Sequence, residues 1–183
     1  LVAQTFDGGL AVTSEMLSTE VGKGRPGRSI DFERGVAHLA WLLGFSVVHL
    51  GADQRLSDAP DVVALSPSGD VVVIECTMGL LKAENKLANL VARAAQVRKA
   101  LDAAGNRSSK IYPVIVSART REELKAELRT AAEHGVIVID KDDLATALNQ
   151  RSHLWPDPDA LIAEAAAATD KLLNAEGPNE TPS

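Results

Sequence analysis

Residues 61–77 read DVVALSPSGDVVVIECT, and this stretch decides the fold. Two aliphatic runs flank the turn-forming cluster SPSG, a pattern that predicts a β-hairpin. Because side chains alternate along a strand, Asp61 begins one face of the first arm and Glu75 nearly ends one face of the second. An antiparallel hairpin brings Asp61 and Glu75 to the same open end. The sequence therefore predicts two neighbouring carboxylates there.

The sequence on either side of the hairpin predicts an α/β fold. Ser29 is placed to cap a helix that runs to about Leu43, and FSVVHL predicts a short strand before the hairpin. After the hairpin we expect, in order, a helix over residues 82–105, a strand in KIYPVIVSA, a helix in TREELKAELRTAAEHG, a strand in VIVID and a short helix in KDDLATALNQ. This order predicts a central mixed β-sheet that helices cover on both faces.

We expect the chain to have three segments. Residues 1–28 form an N-terminal extension that ends in the basic loop GKGRPGR, and residues 29–150 form the α/β domain. Residues 151–183 form an acidic tail with a peripheral Ala-rich helix over 156–176 and a disordered end, GPNETPS. Because the chain begins at Leu1 rather than Met, we expect it to be a piece of a longer protein with additional domains.

Composition limits the class of protein. A chain of 183 residues suits one domain with a full hydrophobic core. The longest uncharged apolar run is far too short to cross a bilayer, and we expect neither a signal peptide nor a membrane partner. The single cysteine, Cys76, excludes an internal disulfide framework. A cytoplasmic location is therefore expected.

The charge is unevenly distributed along the chain. The net charge is −6, but residues 141–183 contribute three Lys/Arg against eight Asp/Glu, a balance of −5. Residues 82–130 contribute eleven Lys/Arg against five Asp/Glu, a balance of +6. These charges could simply solvate helix surfaces, or they could form a basic surface for nucleic acid.

The acidic residues and their order resemble a known superfamily. Glu33 on the first helix, the pair Pro60–Asp61 and the run ECT at Glu75, Cys76 and Thr77 resemble the PD-(D/E)xK nuclease superfamily. The element order from about Phe32 to Ala147 is similar to that of its Mrr-like and Holliday-junction-resolvase-like branches. The resemblance implies a restriction-endonuclease-like, three-layer fold with a central mixed β-sheet, and a nuclease-like domain over residues 29–150.

The same resemblance implies a metal-dependent endonuclease that hydrolyses DNA in restriction or defence. Asp61 and Glu75 would be the principal ligands of Mg²⁺ or Mn²⁺, the main-chain carbonyl of Cys76 a further one and Glu33 an auxiliary one. The chemistry is consistent with this, because carboxylate oxygens suit these hard cations, which acidify a water and neutralise phosphate charge. Cutting both strands would need two active sites, which a homodimer would supply.

The sequence departs from the superfamily pattern at Thr77. This residue stands where the superfamily usually has a catalytic lysine, and a hydroxyl can hydrogen-bond a water but carries no positive charge. We expect Lys86, on the following helix, to take that role, since relocation of the lysine to this helix is known in the superfamily. Lys82 and Arg93 are candidates for contacts with DNA phosphates.

Two other functions stay open on the sequence. The first is a nuclease-like domain that has lost catalysis and serves as a DNA-binding or protein-interaction module, which Thr77 favours. The second is an unrelated doubly wound domain that binds a small ligand at a sheet edge.

The Cys76 side chain is expected to be a buried apolar filler, and the histidines at positions 38, 49, 134 and 153 are expected to be structural.

Overall fold

The computed structural model describes residues 10–17, 28–51, 58–81, 85–151 and 157–174. Several features that the sequence singled out lie outside these ranges. They are residues 22–27 of the basic loop, Lys82, His153 and the GPNETPS end.

The described part of the chain contains six helices and five strands. In order they are α1 (Ala11–Leu17), α2 (Arg28–Leu42), β1 (Ser46–His49), β2 (Val62–Leu65), β3 (Val71–Thr77), α3 (Lys86–Ala103), β4 (Ile111–Ser117), α4 (Arg121–Glu133), β5 (Ile137–Ile139), α5 (Lys141–Arg151) and α6 (Pro158–Asn174). Within the described ranges, no helix is long and apolar enough to cross a membrane.

The strands form one mixed sheet in the order β1-β2-β3-β4-β5. The first three strands are antiparallel neighbours, and β3, β4 and β5 are parallel. The β2–β3 hairpin has the predicted position, and Gly69 takes a φ of 87° in its turn, a conformation that favours glycine. Helices α3 and α4 make the crossovers that parallel neighbours require. The predicted α/β fold is confirmed.

Hydrophobic clusters cover both faces of the sheet. One lies under α2, α5 and α6 and includes Phe32, Val36 and Leu144; the other lies under α3 and α4 and includes Leu90 and Leu124. Every residue of β3 is buried, because this central strand has helices on both sides. Its last residues, Glu75 to Thr77, therefore place polar groups at the edge of the hydrophobic core.

Helix α6 is not peripheral, in contrast to the expectation from its Ala-rich sequence. Ile162 is 8% exposed and packs in the cluster under α2, and the first turn is tied to the hairpin because the Ser68 hydroxyl donates to Asp159 at 2.6 Å. Small alanine side chains give a weak apolar stripe in the sequence, yet they let the helix lie close to the sheet.

Helix α1, within the N-terminal extension, was not predicted. Leu17 is buried against α2, and the Thr13 hydroxyl lies 2.8 Å from Nδ1 of His38. A β-carbon on Gly35 would stand 2.9 Å from Cβ of Met16, so the missing side chain permits this close packing. Seven residues are too few for the helical periodicity to show in the sequence.

Candidate active site

Asp61 and Glu75 meet at the open end of the hairpin. In the β2–β3 register Val62 pairs with Ile74, so the next position places Asp61 opposite Glu75. The backbone amide of Cys76 donates to Oδ2 of Asp61 at 2.7 Å. The carboxylate of Asp61 therefore faces the end of β3, as the alternation of the two arms predicts.

Glu33 reaches the same point from α2. A β-carbon on Gly51 would overlap Oε2 of Glu33 and stand 3.3 Å from Oδ1 of Asp61, so both carboxylates border the open side of this glycine. Burial, and then the negative charge of Asp61, raise the pKa of Glu33 above its ordinary value. The structure thus brings Glu33 and Asp61 together as a pair of like charges.

His49 also belongs to this group, although the sequence suggested only a structural role for it. Its Nε2 lies 3.4 Å from Oε2 of Glu33, and the two side chains are only 18% and 12% exposed. The antiparallel β1–β2 pair places His49 beside Val62, one residue from Asp61. The position of His49 at the end of a strand that pairs with the hairpin was the signal that could have found it.

Glu75 is engaged by Arg93. The guanidinium contacts Oε1 of Glu75 directly, and its Nε donates to the carbonyl of Asp58 at 2.9 Å. Burial raises the pKa of Glu75, the charge of Asp61 adds to this, and Arg93 opposes both. In this conformation Arg93 neutralises Glu75, and its predicted contact with a DNA phosphate would require it to leave that partner.

Lys86 also belongs to this group. Its Nζ donates to the main-chain carbonyl of Cys76 at 2.8 Å, and its positive charge partly opposes the rise in pKa of both Glu33 and Glu75. The first residue of α3 thus carries an ammonium to the carbonyl that the superfamily resemblance implies as a metal ligand.

Thr77 contacts the turn after β3, and the Cys76 side chain packs in the core. The Thr77 hydroxyl accepts from the amide of Gly79 at 3.1 Å and stabilises the turn after β3, which leaves its O–H free to donate. The Cys76 side chain is buried in the core, as predicted, and burial raises the pKa of its thiol well above the usual value. A buried neutral thiol is a poor nucleophile.

An open cleft lies beside these residues. Its volume is about 210 Å³, and it is lined by Ser29, Phe32, Glu33, Cys76, Thr77, Met78, Gly79 and Lys86. The cleft gives solvent access to the Glu33 carboxylate and to the Lys86 ammonium.

The donor types fit a hard divalent cation, but the described side chains do not form a complete cage. Glu33, Asp61 and the Cys76 carbonyl offer only oxygen atoms, the ligands that Mg²⁺ and Mn²⁺ prefer. No group of three or more His, Cys, Asp or Glu side chains in the described ranges is placed to hold a metal. Glu75 could complete the set only if its carboxylate turned away from Arg93.

Two other histidines have the structural contacts that were expected. His38 is bonded to Thr13, and Nδ1 of His134 lies 2.8 Å from the carbonyl of Thr130 within α4 and its cap. Neither residue contributes to the candidate site.

Comparisons with known proteins are informative about the fold alone. No protein-family model and no curated protein matches the sequence. Among solved structures, the small subunit (R.BspD6I2) of the heterodimeric restriction endonuclease R.BspD6I is similar, with a TM-score of 0.59 and 14% sequence identity over 92% of this chain and 96% of that chain. The mixed sheet flanked by helices is therefore a restriction-endonuclease-like fold.

Proposed function

We propose that this chain is a metal-dependent endonuclease domain that hydrolyses DNA phosphodiester bonds, of the restriction or defence type. The observation that carries the proposal is the meeting of Asp61 and Glu75 across the hairpin, with the Lys86 ammonium 2.8 Å from the carbonyl of Cys76, the residue after Glu75. Acidic oxygens and a cation at one site are what phosphodiester hydrolysis needs.

The protein's own groups have separate tasks in this proposal. Asp61, Glu33 and the Cys76 carbonyl would hold Mg²⁺ or Mn²⁺, and Glu75 would join them after release from Arg93. The bound ion would supply a more acidic water and neutralise phosphate charge. The Lys86 ammonium would stabilise negative charge that develops on the phosphate, the task that Thr77 cannot perform. The Thr77 hydroxyl could orient a water by donating its proton.

The fold supports a nucleic-acid substrate. The similar small subunit is by its name part of a heterodimeric restriction endonuclease, and the likeness extends over 92% of this chain. Residues 82–130, which include α3, have a charge balance of +6. By analogy, we propose that DNA binds over the open end of the hairpin and that a second catalytic subunit, identical or not, cuts the other strand.

Cleavage of supercoiled plasmid in MgCl₂ and in MnCl₂ tests the proposal. We expect the wild type to nick the plasmid and EDTA to stop the reaction. Asp61→Asn, Glu75→Gln and Lys86→Ala should each lower the rate at least about a hundredfold, because each removes a charge that acts on the transition state.

Matched changes at exposed positions are the controls for this experiment. Asp170→Asn and Glu164→Gln repeat the same chemistry on α6, and Lys125→Ala repeats it on α4, where the Lys125 side chain is 77% exposed. These variants should nick like the wild type. Equal nicking by the site variants and the controls would contradict the proposal.

The alternative function is a nuclease-like module that binds DNA without cutting it. The contact between Arg93 and Glu75 favours this alternative, because it neutralises one of the two principal acids. Thr77 favours it as well. Binding would then weaken as salt rises, through counterion release, and would be indifferent to Asp61→Asn. Salt-sensitive binding without any nicking, in the presence of Mn²⁺, would select this function.

A further inference from the structure

The residues at the end of β1 lie against Asp61 and Glu33. The backbone amides of Leu50 and Gly51 both donate to the carbonyl of Asp61, at 2.8 and 3.0 Å. Gly51 has no side chain at the point where Glu33 and Asp61 approach each other, and His49 contacts Glu33 from the same segment. Residues 49–51 thus contact both acidic residues: Asp61 through its main-chain carbonyl and Glu33 through its carboxylate.

This arrangement needs a physical cause, because like charges repel. Asp61 is held by the amide of Cys76, but Glu33 stands on a helix and its long side chain has several rotamers, so a partner is needed to fix one of them. Lys86 attracts Glu33 through its charge, yet its ammonium donates its hydrogen bond to the Cys76 carbonyl. His49 is the side chain that bonds Glu33 directly.

We propose that His49 is a positioning residue, and that its imidazole and the bare Cα of Gly51 together hold the Glu33 carboxylate against Asp61 as one half of a divalent-cation site. This inference rests on the proposed function. In the tautomer that carries the proton on Nε2, His49 would donate to Oε2 of Glu33 and thereby select the rotamer that faces Asp61. Gly51 leaves the space that this rotamer occupies.

Calorimetric titration of the 183-residue chain with MnCl₂, without DNA, tests the inference. We expect His49→Leu to weaken Mn²⁺ binding about tenfold to a hundredfold, the usual effect of losing a partner that orients a ligand. His49→Gln, whose amide can donate from a similar position, should restore most of the affinity. Gly51→Ala should weaken binding at least as much as His49→Leu, because its methyl group would displace Glu33.

His134→Leu is the matched control, since it removes an exposed histidine whose ring lies 2.8 Å from the carbonyl of Thr130, within α4 and its cap. Each variant is first checked by its melting temperature in EDTA. If His49→Leu does not fold, His49→Asn replaces it, because asparagine is polar but too short to reach Glu33. The expected result for His49→Asn is the same loss of affinity.

The outcomes separate this inference from the proposed function. If folded His49→Leu and Gly51→Ala bind Mn²⁺ as tightly as the wild type, the inference is overturned and the proposed function stays intact. Wild-type protein that takes up no Mn²⁺ would overturn both. Weak binding by His49→Leu with recovery in His49→Gln would support the positioning role, because a merely structural histidine would not be rescued through its hydrogen bond.

Discussion

The backbone amide of Cys76 donates a 2.7 Å hydrogen bond to the carboxylate of Asp61. This bond joins the two arms of the hairpin beyond the last pair of the β2–β3 register, Val62 and Ile74. It orients one oxygen of Asp61 towards β3 and leaves the other beside Glu33. Asp61 therefore has a structural bond and a candidate catalytic function in the same side chain.

The two tasks of Asp61 can be separated by substitution. Asp61→Ala removes the acceptor of the Cys76 amide and should lower the free energy of unfolding by about 1–3 kcal/mol. Asp61→Asn retains an acceptor and removes the repulsion with Glu33 and Glu75, so we expect it to be as stable as the wild type or about 1 kcal/mol more stable. Urea denaturation at pH 7 measures both. Equal destabilisation by the two substitutions would show that the hydrogen bond is not what matters.

The contact between Glu75 and Arg93 should be the costliest polar interaction to break in the site. The Glu75 side chain is 4% exposed, so Arg93→Met leaves a buried carboxylate without the counter-charge that contacts it. We expect a loss of about 3–5 kcal/mol in the free energy of unfolding, and partial recovery in the double variant Arg93→Met/Glu75→Leu.

An exposed ion pair supplies the control for Arg93. Arg129 and Glu133 lie 3.2 Å apart with side chains that are 49% and 51% exposed. Arg129→Met should cost less than about 1 kcal/mol, since water screens such pairs. A loss at Arg93 no larger than at Arg129 would mean that Glu75 is protonated or solvated in the folded protein.

The pKa of Glu33 predicts a pH-dependent difference in stability. Burial and Asp61 raise this pKa above the ordinary value of 4.5, so the folded protein holds the proton more tightly than the unfolded chain. Glu33 therefore favours folding at pH values below 4.5 and loses that contribution as the pH rises through the raised pKa. We expect the melting temperature of Glu33→Gln to exceed that of the wild type by an amount that grows with pH.

Thermal unfolding in EDTA between acidic and neutral pH measures this difference. The absolute melting temperature also depends on other groups, including Glu123 and Asp159, whose pKa values are lowered and which therefore lose stabilising charge in acid. Subtracting the wild-type curve from the Glu33→Gln curve removes those contributions. A difference that shrinks with rising pH would contradict the raised pKa of Glu33.

The packing of α6 predicts that this helix contributes to stability. Ile162→Ala should lower the free energy of unfolding by about 2–4 kcal/mol, because it leaves a cavity beside the sheet. Leu173→Ala on the same helix is the control, since Leu173 is 36% exposed. Chemical denaturation that shows equal, small effects at both positions would indicate that α6 does not belong to the core.

Much of the fold could be predicted from local patterns in the sequence. Alternation over residues 61–77 predicted both the hairpin and the approach of Asp61 to Glu75, because an antiparallel register leaves little freedom. Helical periodicity predicted the helix that carries Lys86 and Arg93, and both side chains reach the site. The capping box at Thr120 and Glu123 likewise begins α4 where it was expected.

The features that were missed depend on tertiary contacts. His49 is remote from Glu33 along the chain, and only the pairing of β1 with β2 brings it near. The partner of Glu75 is decided by side-chain rotamers, which sequence patterns do not specify. Helix α6 was expected at the surface because its alanines hide the contribution of Ile162.

The most direct measurement is an anomalous difference map from crystals of this chain grown with MnCl₂. We expect a manganese peak at coordination distance from the Asp61 carboxylate and the Cys76 carbonyl, with Glu75 turned away from Arg93. Crystals of Asp61→Asn should lack the peak. A wild-type map with no manganese at this position, and with Glu75 still bound to Arg93, would contradict the account.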